Sequence, residues 1–237
     1  LGITVLLRES RKRFWSLAAI CIAFMAVYGL LTFQSQDAAW NTTMRGDGSS
    51  YGSFVFITRL GDYLLELLPG FLSIRGWEIA FEALALVLIL LGVLLGIRQS
   101  SPLGAIHERH LAAFRMGASI YVGTFLLGNN WDYRLAFLVL VIPQLSEWLW
   151  LERKGQRAVV IGVVIAVILS CWHFYVHFDA PFIPLKNPVN RNFIIDEFIN
   201  WLLVPGFACL LAASFPDWLR QDLQKLLGKA KTRSAGA

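Results

Sequence analysis

The chain has 237 residues, of which 57% are hydrophobic and only 16% charged, with a formal net charge of +5 and a mean hydropathy of +0.58. Soluble domains are roughly half apolar and a quarter charged, so this composition excludes an ordinary water-soluble fold. It predicts an all-α, polytopic integral membrane helix bundle, one transmembrane domain over residues 1–237, with no soluble domain left over.

Taken in chain order, the first predicted span covers residues 14–33, behind the basic flank Arg8, Arg11, Lys12 and Arg13. A long loop, 34–76, follows. Within it Arg59, Asp62 and Glu66 recur at helical spacing opposite Ile57, Leu60, Leu64 and Leu68, which predicts an interfacial amphipathic helix over 54–68, ended by Pro69-Gly70. Nearly unbroken apolar runs then predict spans at 77–97, 111–128, 135–150, 158–178 and 195–215, six in all. A second interfacial helix is expected over 217–228, where Trp218, Leu219, Leu223 and Leu226 oppose Arg220, Asp222 and Lys225. Pro143 and Pro205 loosen their spans, as membrane helices tolerate.

Cytoplasmic flanks carry the excess of Lys and Arg. With six spans, 15 of the 21 basic residues fall on the side of the two termini and of the segments 98–115 and 151–157. The other six, Arg45, Arg59, Arg75, Arg134, Lys186 and Arg191, share the opposite side with most of the acids. The expected topology is thus multi-pass with both termini cytoplasmic; that the membrane is a bacterial cytoplasmic (inner) one is implied only by the resemblance given below. The basic balance belongs to topology and anionic inner-leaflet lipid rather than to nucleic acid. Cys21, Cys171 and Cys209 lie in apolar runs and are expected as small buried hydrophobes, without a disulfide or metal cluster.

The junction Asn129-Asn130-Trp131-Asp132-Tyr133-Arg134 sits between two short spans on the non-cytoplasmic side. Two accounts fit it. In one, the asparagines and Asp132 only cap a helical hairpin and the aromatics rest at the interface. In the other, Asp132 and Arg134 face a cavity and bind an anionic or hydroxyl-rich ligand, the arginine fork donating two hydrogen bonds to one phosphate. His173 and His177, four apart with Asp179 nearby, fit aromatic packing, substrate contact or a divalent metal. No third ligand is apparent in the sequence, so neither a metal site nor a cofactor is expected. Glu78 and Glu82 are expected to reach the headgroups, and Glu147 to be an interfacial charge. Asn41-Thr42-Thr43 matches the glycosylation triplet, a weak signal. There is no glycine-rich phosphate loop, CxxC or Gly-x-Ser-x-Gly elbow, so ATP-driven transport and redox chemistry find no support in the sequence.

Asn130, Asp132, Tyr133, Arg134 and Leu135, followed by an apolar helix with Pro143-Gln144, resemble the C-terminal half of bacterial polytopic proteins similar to glycosyltransferase family 87, in the GT-C class. The resemblance covers about thirty residues; the remainder agrees only in hydropathy. It implies an outward-facing site that transfers a sugar from a polyprenyl-phosphate donor with inversion, a carboxylate of the first outer loop acting as general base. That loop offers Asp37 and Asp47, without a matching family motif. On this reading Asn129, Asn130, Asp132, Tyr133, Arg134, His173 and His177 contact substrate. The chain begins at Leu1, and its length fits either the C-terminal part of a longer enzyme or a reduced relative that no longer catalyses. The competing expectations are a non-catalytic subunit packed among partner membrane subunits and a small-molecule transporter, the latter disfavoured by the absence of an evident inverted repeat.

Overall fold

The computed structural model describes residues 7, 9–42, 50–68, 70, 73–99, 103, 106–127, 130–150, 154–171, 181–183 and 189–227. Its helices are α1 (Arg11–Thr42), α2 (Val55–Leu67), α3 (Ile74–Arg98), α4 (Glu108–Leu126), α5 (Ile142–Trp150), α6 (Lys154–Ser170), α7 (Arg191–Ala213) and α8 (Asp217–Leu226). A 3₁₀ helix (Asp132–Leu140) leads into α5, and the short strands β1 (Ser50–Tyr51), β2 (Asn130–Trp131), β3 (Pro181–Ile183) and β4 (Val189–Asn190) form two antiparallel pairs. The chain divides into two compact units, residues 1–45 with 216–237, and residues 46–215.

In the first unit α1 is apolar on every side, and none of its Arg11–Thr32 window is buried. A helix hydrophobic all round belongs in a core or in lipid. The amphipathic α8 starts with Asp217 and carries Lys225 in its last turn, charges that suit the helix dipole at both ends. It lies against the start of α1, where Arg11 pairs with Asp222 at 2.5 Å and the Phe14 and Trp218 rings meet edge to face at 5.2 Å.

The second unit is organised around α7, 67% of whose apolar window is buried, against 17% for α3. Small residues bring these two helices together. The Cα of Gly92 faces the carbonyl of Pro205 and the methyl of Ala208 so closely that no Cβ would fit, and Gly96 stands in the same relation to the carbonyl of Cys209 and to Ala212. A glycine repeat at four-residue spacing is a known means of close helix approach in lipid. Since both numbers rise together, α3 and α7 run parallel. On the other flanks the order reverses: Tyr121 and Arg115 of α4 meet Asn200 and Ser214, and Ser170 and Val163 of α6 meet Asn200 and Gly206. Helix α5 is antiparallel to α4 in the same way, Phe114 packing on Trp148 at 4.7 Å and Gly117 on the backbone of Phe137. The segments α3, α4, 3₁₀–α5, α6 and α7 therefore alternate in direction.

These are the places of the second to sixth predicted spans, with two differences. The span expected at 135–150 is not one α-helix. Its first half is a nine-residue 3₁₀ helix and its second half the nine-residue α5, with the change at Val141. Pro143 explains the break, because its missing N–H and fixed φ are tolerated in the first turn of a helix and not in its interior. Pro205, by contrast, stays inside α7. The span expected at 158–178 starts earlier, at Lys154, and its helix ends at Ser170; residues 172–180 lie outside the described ones. Among the described residues, three helices are long and apolar enough to cross a membrane, within α1, α3 and α7. Helices α2 and α8 stand where the two interfacial helices were expected, and Gly70 takes the left-handed φ of 78° expected of a terminator.

Candidate functional site at the junction end

One end of the second unit gathers the start of α2, the ends of α4 and α6, the starts of α3 and α7, and the 130–134 junction. The pairing of β1 with β2 sets Ser50 opposite Trp131 and Tyr51 opposite Asn130, and Ser53 N–H donates to the Phe125 carbonyl at 3.1 Å. The long loop before α2 is thereby anchored on the junction. Of the residues proposed to contact substrate, Asn130 lies in β2, while Asp132, Tyr133 and Arg134 open the 3₁₀ helix. A 3₁₀ run of this length is unusual, and such stretches often mark strained or functional segments. Asn129, His173, His177 and Asp47 fall outside the described residues, and Asp37 is described only as part of the α1 backbone.

Below this anchor the bundle is polar where the hydropathy profile shows only a span. Asp196, Glu197 and Asn200, on the second and third turns of α7, are all buried, Glu197 completely. The Tyr121 hydroxyl donates to Asn200 Oδ1 at 2.7 Å, and the Ser170 hydroxyl donates to the same oxygen at 3.2 Å. Three helices thus meet at one amide. Glu78, expected to reach the headgroups, is buried as well, while Glu82 one turn on is exposed. The parallel register of α3 and α7 is the reason: it aligns the first turn of α3 with the start of α7 and turns Glu78 inward. Ser73 begins α3 by accepting the Gly76 N–H at 3.1 Å, which sets where the helix starts.

An aromatic wall closes one side of the polar cluster. The Trp201 ring meets Phe125 at 5.3 Å and Phe81 at 5.7 Å, both edge to face, and Phe56 of α2 packs on both Phe81 and Trp201. Buried carboxylates beside aromatic edges and hydroxyls form an environment that water does not fill freely, where charge is costly unless matched. Fully buried Glu197 has no surface with which to touch a ligand.

The polar residues Tyr121, Ser170 and Asn200 escaped the sequence reading, which counted Asp196 and Glu197 only as outer-side acids. The signal was present as three polar residues at i, i+1 and i+4 in an apolar run, a spacing that gives one helix face. No protein-family model, curated protein or solved structure matches the chain.

Proposed function

We propose that the chain is the membrane portion of a GT-C-like glycosyltransferase, with six spans and cytoplasmic termini, handling a polyprenyl-phosphate-linked sugar at the non-cytoplasmic face. The observation that carries this reading is the pairing of Ser50 with Trp131. Asp47 is three residues before Ser50, and chain length alone keeps it within about 11 Å of that residue. That short separation in sequence supports a reading in which a carboxylate of the first outer loop acts together with Asp132 and Arg134. The alternation of α3 to α7 supports the span count, since nine 3₁₀ residues and nine α-helical residues reach roughly 31 Å, about the thickness of the hydrocarbon core.

In this mechanism the acceptor hydroxyl attacks the anomeric carbon and gives its proton to Asp47. The bond from the anomeric carbon to the phosphate oxygen breaks, and Arg134 stabilises the departing polyprenyl phosphate. The test is transfer in membranes from a radiolabelled polyprenyl-phosphate sugar. Asp47→Asn and Arg134→Ala should each lower transfer at least about 100-fold, an effect of the size seen for a lost base or oxyanion donor. Full activity in both variants would sink the proposal. A protein that binds no polyprenyl-phosphate sugar at all would instead be the non-catalytic subunit.

A further inference from the structure

The opposite end of the second unit holds a different cluster. His107 is the N-cap residue of α4, a position where a side chain normally accepts a backbone N–H, yet its imidazole makes no capping bond. It turns instead to Glu147 of α5, with Nδ1 2.7 Å from Oε1, and His110 Nδ1 contacts the same oxygen. The other carboxylate oxygen, Oε2, accepts the Ile106 N–H at 3.1 Å and the Gln144 side-chain amide at 3.3 Å. Glu147 is thus buried and held from four directions, contrary to its expected role as an interfacial charge, while the side chains of His107 and His110 are 63% and 40% exposed.

We propose that His107, His110 and Glu147 form a binding site for a divalent transition cation of the zinc type. The three residues each offer one ligand atom, and these atoms lie within 4.8 Å of one another. Two imidazoles and one carboxylate are a three-ligand set that leaves a fourth position for water. At metal–ligand distances of about 2.0–2.1 Å, neighbouring ligands of a tetrahedral site stand roughly 3.3 Å apart, so the cation enters by a small outward rotation of the two exposed rings. The carboxylate need not move. Its Ile106 and Gln144 bonds leave Oε1 aimed at the site, the outer support that metal-binding carboxylates usually have. The sequence signal is His-x-x-His at the start of a helix, completed by a glutamate 37 residues on.

The test uses the full chain in detergent, with zinc chloride as the only added ligand, read by calorimetry and by metal content after gel filtration. Cobalt substitution gives a visible absorption band that reports tetrahedral geometry. The wild type and a His173→Ala/His177→Ala control should bind one zinc with the same affinity. His107→Ala/His110→Ala should weaken binding at least about 100-fold, and Gln144→Leu, which removes only the support of the carboxylate, about 10-fold. Far-UV circular dichroism identifies any variant that has lost its helices, in which case His110→Gln, which keeps a polar partner for Glu147, replaces it. Zinc binding that is absent from the wild type, or unchanged in the folded histidine variants, overturns the proposal.

Discussion

The phenolic hydroxyl of Tyr121 on α4 donates to Asn200 Oδ1 on α7 at 2.7 Å, with both residues only 1% exposed. Because Ser170 donates to the same oxygen, the two partners are not equivalent. Tyr121→Phe leaves Asn200 with its Ser170 bond and should cost about 1 kcal/mol. Asn200→Leu strips the acceptor from two buried hydroxyls and should cost about 2 kcal/mol or more. Denaturant-induced unfolding in detergent micelles checks the order, and equal losses would show that the amide is not the shared centre.

The packing of α3 on α7 predicts opposite outcomes for two glycine classes. Gly96→Ala places a methyl against the backbone carbonyl of Cys209, which cannot rotate away, so the helices must separate, at a cost of about 1–3 kcal/mol. Gly123 of α4 has nothing within 4 Å of its missing Cβ, and Gly123→Ala should be neutral or stabilise by up to about 1 kcal/mol. Thermal melts of the two single variants decide the matter.

Arg115 is buried two turns into α4, where its Nη2 donates to the Ser214 carbonyl and its Nε to the Ser214 hydroxyl at 3.4 Å. The guanidinium thereby satisfies a carbonyl just beyond α7 and places positive charge at the negative end of that helix dipole. Arg115→Met keeps the apolar stem and should cost about 1.5–3 kcal/mol; Arg115→Lys, which lacks the planar fork, should recover only part of it. Stability series on the three proteins in one detergent test this, and a Lys variant equal to wild type would refute the role of the fork.

The orientation expected from the basic flanks is open to labelling. With Cys21, Cys171 and Cys209 replaced by Ala, a Cys at Ser50 should react with an impermeant maleimide in intact cells, and one at Arg157 only after permeabilisation. The reverse pattern would invert the assignment of every loop.

Helix existence was legible in the sequence because hydropathy reports what a segment must avoid, and each predicted run has a helix in its place. What hydropathy averages away is which single residues turn inward. Glu78 and Glu147 read as surface charges because each stands near the end of an apolar run; the parallel register of α3 and α7 buries the first, and four converging polar groups hold the second. The 3₁₀ start of the fourth run was hidden for a different reason. Its residues are as apolar as those of α5, and only Pro143, read as a loosening of one helix, marked where a second begins. The junction at Asn130 to Arg134 stood out in the sequence by its polarity, but its pairing partner did not, since the pairing with Ser50 and Tyr51 joins segments about eighty residues apart with no complementary pattern to announce it.

Helix α3 is the most apolar of the three long apolar helices and α7 the least, with Asp196, Glu197 and Asn200 on its first turns. A segment like α3 partitions into lipid unaided, whereas α7 entering alone would carry two carboxylates and an amide into hydrocarbon with nothing to cover them. Translation resolves this by sequence order. The surfaces that sheathe α7, the glycine groove of α3, Tyr121 of α4 and Ser170 of α6, all leave the ribosome before it does. The least apolar of the three long apolar helices is thus also the last of them to be synthesised, and it arrives as the keystone of an arch whose other stones already stand.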